Sequence, residues 1–328
     1  MRVGQVTELW RYPVKSLGGE RIERADIGAQ GVLGDRLWAV RDVGKDITAT
    51  ARRIPVLLTA TARYCAPPPP DAGPGRVPDV EITFPDGTVL RSDDPAVHDK
   101  LSELAGREMR LTALPPKSDT SLHRLGLNDP DNSPIASMRS DFGIADGERL
   151  PDLSMMRIAD LALLARYSTP PGMFVDLAPV HVMSTTSLAT IGAELGEGDV
   201  DVRRFRPNVL LALDGTDTSD GLPEHRWTGG RLTVGGAVLE VTMPTVRCVV
   251  PSRAQPGLDV DRRITKAVAT KAGRCLGSYC WVETGGTVSI GDDAAVQAHR
   301  ASVLTDVTKR AKRVAFGVAT AAMERLSR

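Results

Sequence analysis

One cysteine stands out among the residues that could do chemistry. Cys248 follows Arg247 in the segment Thr245–Val250, directly after Pro244. A neighbouring guanidinium favours the thiolate form of a cysteine, which is the form that binds metals and attacks electrophiles. From its neighbours alone, four interpretations of Cys248 stay open: a buried small apolar residue, which is the commonest case, a catalytic nucleophile, a persulfide carrier or a metal ligand.

A segment upstream of this cysteine is rich in side chains that bind anions. Residues 203–208 contain three guanidiniums and one amide, at Arg203, Arg204, Arg206 and Asn208. Planar guanidinium forks suit phosphate groups, and amides suit the polar edge of a ring. A thiolate together with such a segment indicates a metal cofactor that carries its own phosphate.

Two turns near the N-terminus offer further polar contacts. Lys15 and Ser16 follow Pro13 and present an ammonium and a hydroxyl together, which suits a phosphate or a pterin edge. Arg36 lies in a charged turn after Gly34 and could also contact an anion. Each segment could equally be an ordinary solvated turn.

The remaining reactive residues stand in no diagnostic context. We expect Cys275 and Cys280 to lie in the core, since their spacing is not that of zinc ligands. We expect surface or hydrogen-bonded core roles for all five histidines, His98, His123, His181, His225 and His299.

Composition sets the outer limits. The chain has 328 residues, 41% hydrophobic, with 41 cationic and 41 anionic side chains. This length allows two domains, and the balanced charge gives no argument for nucleic acid. No apolar run resembles a signal peptide or a membrane span, and there are only four cysteines, so we expect a cytoplasmic protein.

The elements that must position these residues are mostly strands. Short β-type runs with Gly and Pro turns fill the first ninety residues and predict a small barrel or sandwich. They include a hairpin at Glu81–Leu90. The proline-rich segment Pro67–Gly75 must be an exposed loop. A helix is predicted at Pro95–Ala105, with Asp94 as its N-cap, and residues 115–150 are predicted to be a long polar loop.

In the second half, helical spacing alternates with β patterns. Helices are predicted at Arg157–Tyr167, Ser187–Leu195 and Arg262–Ala272. Strands are predicted at Val180–Met183, Val209–Leu213, Arg231–Val234, Ala237–Val241, Arg247–Val250, Trp281–Glu283 and Thr287–Ile290. The predicted fold is therefore mixed, a β-rich α+β arrangement.

The last residues have a different pattern. Val303, Val307, Ala311 and Val314 recur at helical spacing, with basic residues on the other face. This pattern predicts a C-terminal amphipathic helix that packs on the domain or on a second subunit. Peripheral contact with a membrane surface and docking of a partner protein stay open as alternatives.

Taken in order along the chain, these segments resemble one known family. Residues 1–293 resemble a MOSC-domain protein that has the MOSC N-terminal β-barrel domain, of the type of the mitochondrial amidoxime-reducing component and its bacterial counterparts. The matching segments are Tyr12–Ser16, Gly34–Trp38, Thr50–Arg52, Phe205–Asn208, Arg247–Cys248, Gly277–Tyr279 and Ile290–Asp292. The resemblance divides the chain into an N-terminal barrel domain (1–110), a polar loop with a connecting helix (111–175), a MOSC domain (176–293) and a basic helical tail (294–328).

The resemblance implies a molybdenum cofactor, with molybdenum bound to molybdopterin, and a role for each matching residue. Cys248 falls on the position that ligates molybdenum and carries catalysis. The positions that contact the cofactor are Lys15, Ser16, Arg36, Arg206, Asn208 and Arg247. The implied reaction is the reduction of N-hydroxylated compounds, such as amidoximes and hydroxylamines, by removal of oxygen from nitrogen.

The resemblance also bears on partners and alternatives. The tail contains no cysteine and cannot hold an iron–sulfur cluster, so electrons must come from a separate reductase or a ferredoxin-like protein. A cofactor carrier without turnover remains an alternative, as does a sulfur carrier that uses a Cys248 persulfide. Sulfurases with MOSC domains usually carry a pyridoxal-phosphate domain, for which this chain has no room.

Overall fold

The structure, a computed structural model, describes residues 1–124, 134–145, 148, 155–164, 166–196, 198, 200–215 and 221–298. The strands are β1 (Arg2–Arg11), β2 (Glu20–Ile22), β3 (Arg24–Gly28), β4 (Gly31–Val32), β5 (Trp38–Asp42), β6 (Ile47–Thr48), β7 (Thr61–Tyr64), β8 (Val80–Thr83), β9 (Val89–Arg91), β10 (Met109–Ala113), β11 (Val180–Ser184), β12 (Val209–Leu213), β13 (Arg231–Val234), β14 (Ala237–Val246), β15 (Cys275–Thr284), β16 (Gly286–Ser289) and β17 (Asp293–Gln297). The helices are α1 (Ala96–Ala105), α2 (Pro134–Phe142), α3 (Ile158–Leu164), α4 (Thr185–Leu195) and α5 (Arg263–Ala272).

Seven strands, one from the N-terminus and six from the second half of the chain, form a closed barrel. The order around the barrel is β1-β12-β11-β15-β14-β13-β17, and β17 pairs with β1 to close it. Only β11 and β12 run parallel; the other neighbours are antiparallel. The N-terminal strand therefore belongs to the same sheet as strands that begin almost two hundred residues later.

The barrel closes around its own apolar core. Along β14 buried residues alternate with less buried ones, as a strand with one face on a core requires. Val6 and Leu9 of β1 pack with Val241 and Leu239 of β14 in this core. Outside the barrel, α4 and α5 cover a separate apolar cluster that includes Ile191 and Val268.

A second large core lies in the N-terminal part of the chain. Strands β5, β6 and β10 form one three-stranded sheet, and β7, β8 and β9 form another. Val97 and Leu101 of α1 pack against Leu57 and Ile82 in this core. The mixed, β-rich fold predicted from the sequence is confirmed.

Several local predictions are also confirmed by hydrogen bonds. The backbone N–H of Ala96 donates to the Asp94 carboxylate (2.9 Å) directly before α1, although the N-cap position itself is held by Pro95. Asp261 accepts from the N–H of Arg263 in the same way at the start of α5 (2.9 Å). Gly273 ends α5 with a left-handed φ of 54°.

The predicted strand at Arg247–Val250 is wrong. Strand β14 continues through Pro244, which sits where its pairing with β15 is irregular, and ends at Val246. The next residues turn into a short 3₁₀-helix at Val250–Ser252. The N–H of Arg247 bonds the carbonyl of Arg274 (2.8 Å), so Cys248 lies in a fixed connection beyond the strand rather than within it.

The predicted loop at 115–150 contains a helix. Helix α2 carries few sequence signals of its own, and long-range contacts hold it in place. The carbonyl of Asp141 accepts from the N–H of Val249 (3.0 Å), and the Asp141 carboxylate pairs with Arg53 (3.3 Å). This part of the chain therefore packs against the connection that carries Cys248.

The C-terminal end of the described chain is a strand. Residues 294–297, which the sequence places in the tail, belong to β17 in the barrel. The predicted amphipathic helix over the last residues lies outside the described part of the chain. No helix in that described part is long and apolar enough to cross a membrane.

Candidate functional site

One cavity lies between the N-terminal core and the barrel. It contains about 770 Å³ of empty space, counting the solvent at its open mouth. All seven residues that the resemblance singles out line it: Lys15, Ser16, Arg36, Arg206, Asn208, Arg247 and Cys248. The structure adds residues that the sequence did not single out as contacts, among them Arg52, Asp176, His181 and Tyr279.

Lys15 and Ser16 enter the cavity where the chain leaves β1. The N–H of Lys15 bonds the carbonyl of Trp38 (2.8 Å), which fixes the turn after Pro13. The Ser16 backbone is left-handed (φ 73°), and its hydroxyl accepts from the N–H of Ala51 (3.0 Å). The Lys15 ammonium is almost fully buried and donates to Asp176 (2.5 Å). Burial lowers the pKa of Lys15, although Asp176 opposes that shift.

Asp176 marks the mouth of the cavity. Its side chain is 52% exposed and pairs with Lys15 and, at 3.5 Å, with Arg52. Burial acts to raise the pKa of Asp176, but Lys15 and Arg52 outweigh it and hold the pKa well below its usual range. Because half of the side chain faces solvent, these ion pairs are partly screened.

Two cations on opposite elements share one aromatic ring. The guanidinium of Arg36 lies 5.0 Å from the centre of the Tyr12 ring, and that of Arg206 lies 4.2 Å from it. Arg36 also pairs with the buried carboxylate of Asp35. Burial raises the pKa of Tyr12, whose hydroxyl has no hydrogen-bond partner within the described residues.

Arg206 forms no ion pair with a carboxylate among the described residues. Its Nη1 donates to the carbonyl of Leu17 (2.5 Å), but its buried Nη2 has no partner within the described part of the chain. Burial lowers the pKa of Arg206 to about 10, and the nearby Arg36 charge adds to the shift. A buried donor without a partner is costly, so this atom is suited to an anionic ligand.

The other two arginines of the segment have structural contacts instead. Arg203 pairs with Asp201 (2.6 Å). Arg204 donates to backbone carbonyls, including those of Pro251 (3.1 Å) and Asp259 (2.9 Å), and so holds the connection that follows Cys248. Of the three guanidiniums, only Arg206 lines the cavity.

Arg247 contacts a histidine that the sequence did not mark as functional. Its Nη2 donates to the carbonyl of Phe205 (2.5 Å), and its Nη1 lies 3.3 Å from Nε2 of His181. Burial, with the Arg247 charge, holds the pKa of His181 well below its usual range. Its only sequence signal is one polar residue inside the apolar run of β11, which predicts a core position as readily as a site.

Asn208 connects the barrel strands behind the cavity. Its side-chain oxygen accepts from the N–H of His181 (3.1 Å), and its side-chain nitrogen donates to the carbonyl of Trp10 (3.3 Å). Its backbone bonds both of these strands as well. The amide therefore fixes β11 against β1 at the wall of the cavity.

Cys248 is the one cysteine that lines the cavity. It is partly exposed and free, whereas Cys275 and Cys280 are buried in the core, as the sequence predicts. Cys65 is exposed and free but does not line the cavity.

The backbone around the cavity is unusual. Within the described residues, five non-glycine residues have left-handed φ angles, and three of them, Ser16, Arg36 and Arg206, line the cavity. Such conformations cost free energy and persist at sites where function needs them.

The lining as a whole fits an anionic ligand that carries a soft metal. Among the described residues, five cations and one carboxylate line the cavity together with the Cys248 thiol. Within the described residues, no group of three or more His, Cys, Asp or Glu side chains is placed to hold a metal ion. A metal at Cys248 would therefore need most of its ligands from a cofactor, and the unpartnered Nη2 of Arg206 fits a cofactor phosphate.

Comparisons with known proteins match both parts of this architecture. A family model described as MOSC domain matches residues 170–295, and one described as MOSC N-terminal beta barrel domain matches residues 3–88. The Homo sapiens mitochondrial amidoxime-reducing component 1 is 27% identical over 318 residues, and its Mus musculus counterpart is 24% identical over 317. Each match covers 89% of this chain and 82% of the relative. The solved YUAD protein from Bacillus subtilis is 12% identical, with 91% of this chain and 97% of that chain covered and a TM-score of 0.42.

Proposed function

This chain is a MOSC-domain protein with a MOSC N-terminal β-barrel domain, and on that premise we propose that its cavity binds a molybdenum cofactor and reduces N-hydroxylated compounds. Amidoximes and hydroxylamines are the proposed substrate class, by analogy with the amidoxime-reducing relatives.

One observation carries the proposal. Seven residues that are scattered from position 15 to position 248 line a single cavity, with the thiol of Cys248 among them. A thiol of no function would not need a lining of five cations around it, since buried like charges are costly.

The residues divide into two tasks in this proposal. The Cys248 thiolate is the single protein ligand to the metal. Arg206 and Arg247 hold the cofactor phosphate and pterin edge from the barrel, and Lys15, Ser16 and Arg36 contact it from the N-terminal part. Asn208 acts through the backbone that it fixes.

When bound, the cofactor supplies the two-electron chemistry that removes oxygen from nitrogen. The chain binds and orients both partners of that reaction. Asp176 is the one exposed residue among the described residues of the lining, so the substrate enters on its side. Its ionised carboxylate can accept hydrogen bonds from the N–H groups of an amidoxime.

The proposal includes a separate electron donor, a reductase or a ferredoxin-like protein. The domain division at 110 and 175 and the cytoplasmic location stay predictions, whereas residues 294–297 of the predicted tail belong to β17. So does peripheral membrane contact by the predicted tail helix, which lies outside the described residues.

The proposal is tested by metal content and turnover. We expect the wild-type chain from a cofactor-replete host to contain about one molybdenum per chain and to reduce benzamidoxime with a chemical reductant. Cys248→Ala should lose both, because the proposed protein ligand to the metal is gone. Cys65→Ser is the matched control, since it removes an exposed cysteine away from the cavity and should change neither.

The outcomes separate the alternatives. A wild-type chain without molybdenum, or a Cys248→Ala chain that keeps it, would contradict the proposal. Bound cofactor without turnover on several N-oxygenated compounds would indicate a carrier instead. A persulfide mass increase on Cys248 would indicate a sulfur carrier.

A further inference from the structure

His181 lies between Arg206 and Arg247, neither of which forms an ion pair with a carboxylate within the described part of the chain. Its Nδ1 is 3.4 Å from the carbonyl oxygen of Arg206, and its Nε2 is 3.3 Å from Nη1 of Arg247. Its side chain is buried, and its ring also packs near Tyr279, 5.8 Å between centroids. The imidazole therefore links the Arg206 backbone to the Arg247 side chain.

The two neighbours determine which nitrogen carries the proton. A carbonyl can only accept and a guanidinium can only donate, so the contacts to Arg206 and Arg247 are both made when Nδ1 carries the proton and Nε2 accepts. The backbone of Leu276 is a further hydrogen-bonding neighbour of the ring. The charges that face the ring are cationic, from Arg247 and more distantly Arg36, and together with burial they disfavour a second proton. The ring is thus a neutral acceptor for Arg247.

The opposite strand leaves room for this ring. A Cβ on Gly277 of β15 would lie 2.3 Å from Nε2 of His181 and 2.6 Å from a side-chain carbon of Met183. Gly277 also has a left-handed φ of 77°. Both features favour glycine at position 277, and the close approach makes the space for the His181 ring depend on it.

We propose that His181 is a positioning residue for anion binding: it fixes the guanidinium of Arg247 so that the free N–H groups face the cavity. Arg247 uses one N–H on His181 and one on Phe205, and its other N–H groups make no further hydrogen bond within the described residues. A guanidinium held at two points loses less entropy when it binds a phosphate.

This inference rests on the anion-binding part of the proposed function and not on the metal chemistry. Its ligand is a phosphate group, whether free or part of a cofactor. Inorganic phosphate is therefore a sufficient probe, and the cofactor-free protein is a sufficient sample.

Three substitutions separate positioning from simple packing. Gln at position 181 can place its oxygen where Nε2 stands and still accept from Arg247. Asn reaches only the place of Nδ1, and Leu fills the space without a polar atom. If positioning matters, His181→Gln keeps the contact that His181→Asn and His181→Leu lose.

The experiment is a calorimetric titration of the cofactor-free proteins with inorganic phosphate, with a thermal melt as a check on folding. We expect His181→Leu and His181→Asn to weaken phosphate binding about tenfold, and His181→Gln to stay within about twofold of wild type. Molybdenum per chain after expression in a cofactor-replete host should follow the same order.

Equal phosphate affinity in wild type and His181→Leu, or a wild-type protein that binds no phosphate, would overturn the inference. Failure of the proposed function looks different. In that case no variant contains molybdenum, yet phosphate binding still depends on His181. Normal molybdenum loading in His181→Leu would leave the proposed function standing and remove the role of His181.

Discussion

The two walls of the cavity hold their positive charges in different ways. On the N-terminal wall each cation has a carboxylate: Arg36 pairs with Asp35, and Lys15 and Arg52 pair with Asp176. On the barrel wall, Arg206 and Arg247 contact carbonyls, a neutral histidine and aromatic rings.

The difference appears in the pKa values of the arginines. Burial would lower the pKa of Arg36 and Arg52, but Asp35 and Asp176 outweigh it, so that both pKa values are raised. Burial dominates at Arg206 and Arg247, and both pKa values are lowered. Lys15 is the exception on its wall, since burial there outweighs Asp176.

The comparison indicates where an anion gains most. A ligand that meets Arg206 or Arg247 satisfies a charge that the protein itself leaves uncompensated, whereas a ligand that meets Arg52 or Lys15 must compete with Asp176. We infer that the barrel wall supplies most of the anion affinity and that the N-terminal wall mainly sets orientation and the entrance.

The largest expected effect comes from exchanging one arginine on each wall for glutamine. Arg206→Gln should weaken phosphate binding at least tenfold, because it removes an uncompensated charge that has a free donor. Arg52→Gln should cost about threefold, since Asp176 already shields that charge. Calorimetric titration of both variants measures the two losses.

The same two variants should differ in thermal stability in a way that does not follow their losses of phosphate affinity. Arg206→Gln should leave Tm unchanged or raise it, since a buried charge without a counter-ion destabilises the fold. Arg52→Gln should lower Tm slightly. Equal losses of affinity in the two variants would show that the two walls contribute alike to anion binding.

A smaller effect of opposite sign is expected at the mouth. Asp176→Asn frees Lys15 and Arg52 from their carboxylate and makes the N-terminal wall resemble the barrel wall. Phosphate binding should strengthen about threefold at low salt and less at high salt. Tm should fall, since the buried Lys15 loses its counter-ion. Weaker phosphate binding in Asp176→Asn would show that the carboxylate orders the wall rather than competes with the ligand.

The smallest expected effect on phosphate binding is at His123, where the change is expected mainly in stability. This histidine contacts the segment that carries Asp176. His123 holds this segment: its Nδ1 contacts the Thr169 hydroxyl (2.8 Å), and its Nε2 accepts from the N–H of Gly172 (3.2 Å). Burial lowers the pKa of His123 to about 4. Between pH 6.5 and about 4 the unfolded chain therefore binds a proton that the folded chain does not, and stability falls as pH falls through this window.

Chemical denaturation across that pH range measures the effect. We expect the loss assigned to His123 to reach at most roughly 3 kcal/mol. His123→Gln serves as the control and should be less stable at pH 7, with a flatter profile between pH 6.5 and 4. An unchanged profile in His123→Gln would assign the acid loss to other groups. Phosphate affinity at pH 7 should be the same as in wild type.

Much of the fold could be predicted because the signals were local. The Glu81–Leu90 hairpin and the helices α1 and α5 follow from turn residues, carboxylates directly before each helix and glycines that end helices. Helix α2 and strand β17 could not be predicted, since contacts with the connection near Val249 and pairing with β13 and β1 decide them. Pro244 lies between the two predicted strands Ala237–Val241 and Arg247–Val250. An irregular pairing with β15 accommodates this proline inside the single strand β14.

The order of residues along the chain was enough to identify the residue types that could do the chemistry: a thiol beside an arginine, a guanidinium-rich segment, and a lysine–serine turn. The resemblance had already selected Arg206 from that segment, but the folded structure was needed to show what Arg203 and Arg204 contact instead and that His181 and Asp176 line the cavity. The physical reason is that β1 closes the barrel while the turn after it enters the N-terminal core. Segments far apart in the chain therefore form two walls, and the charges that each wall leaves uncompensated depend on those contacts.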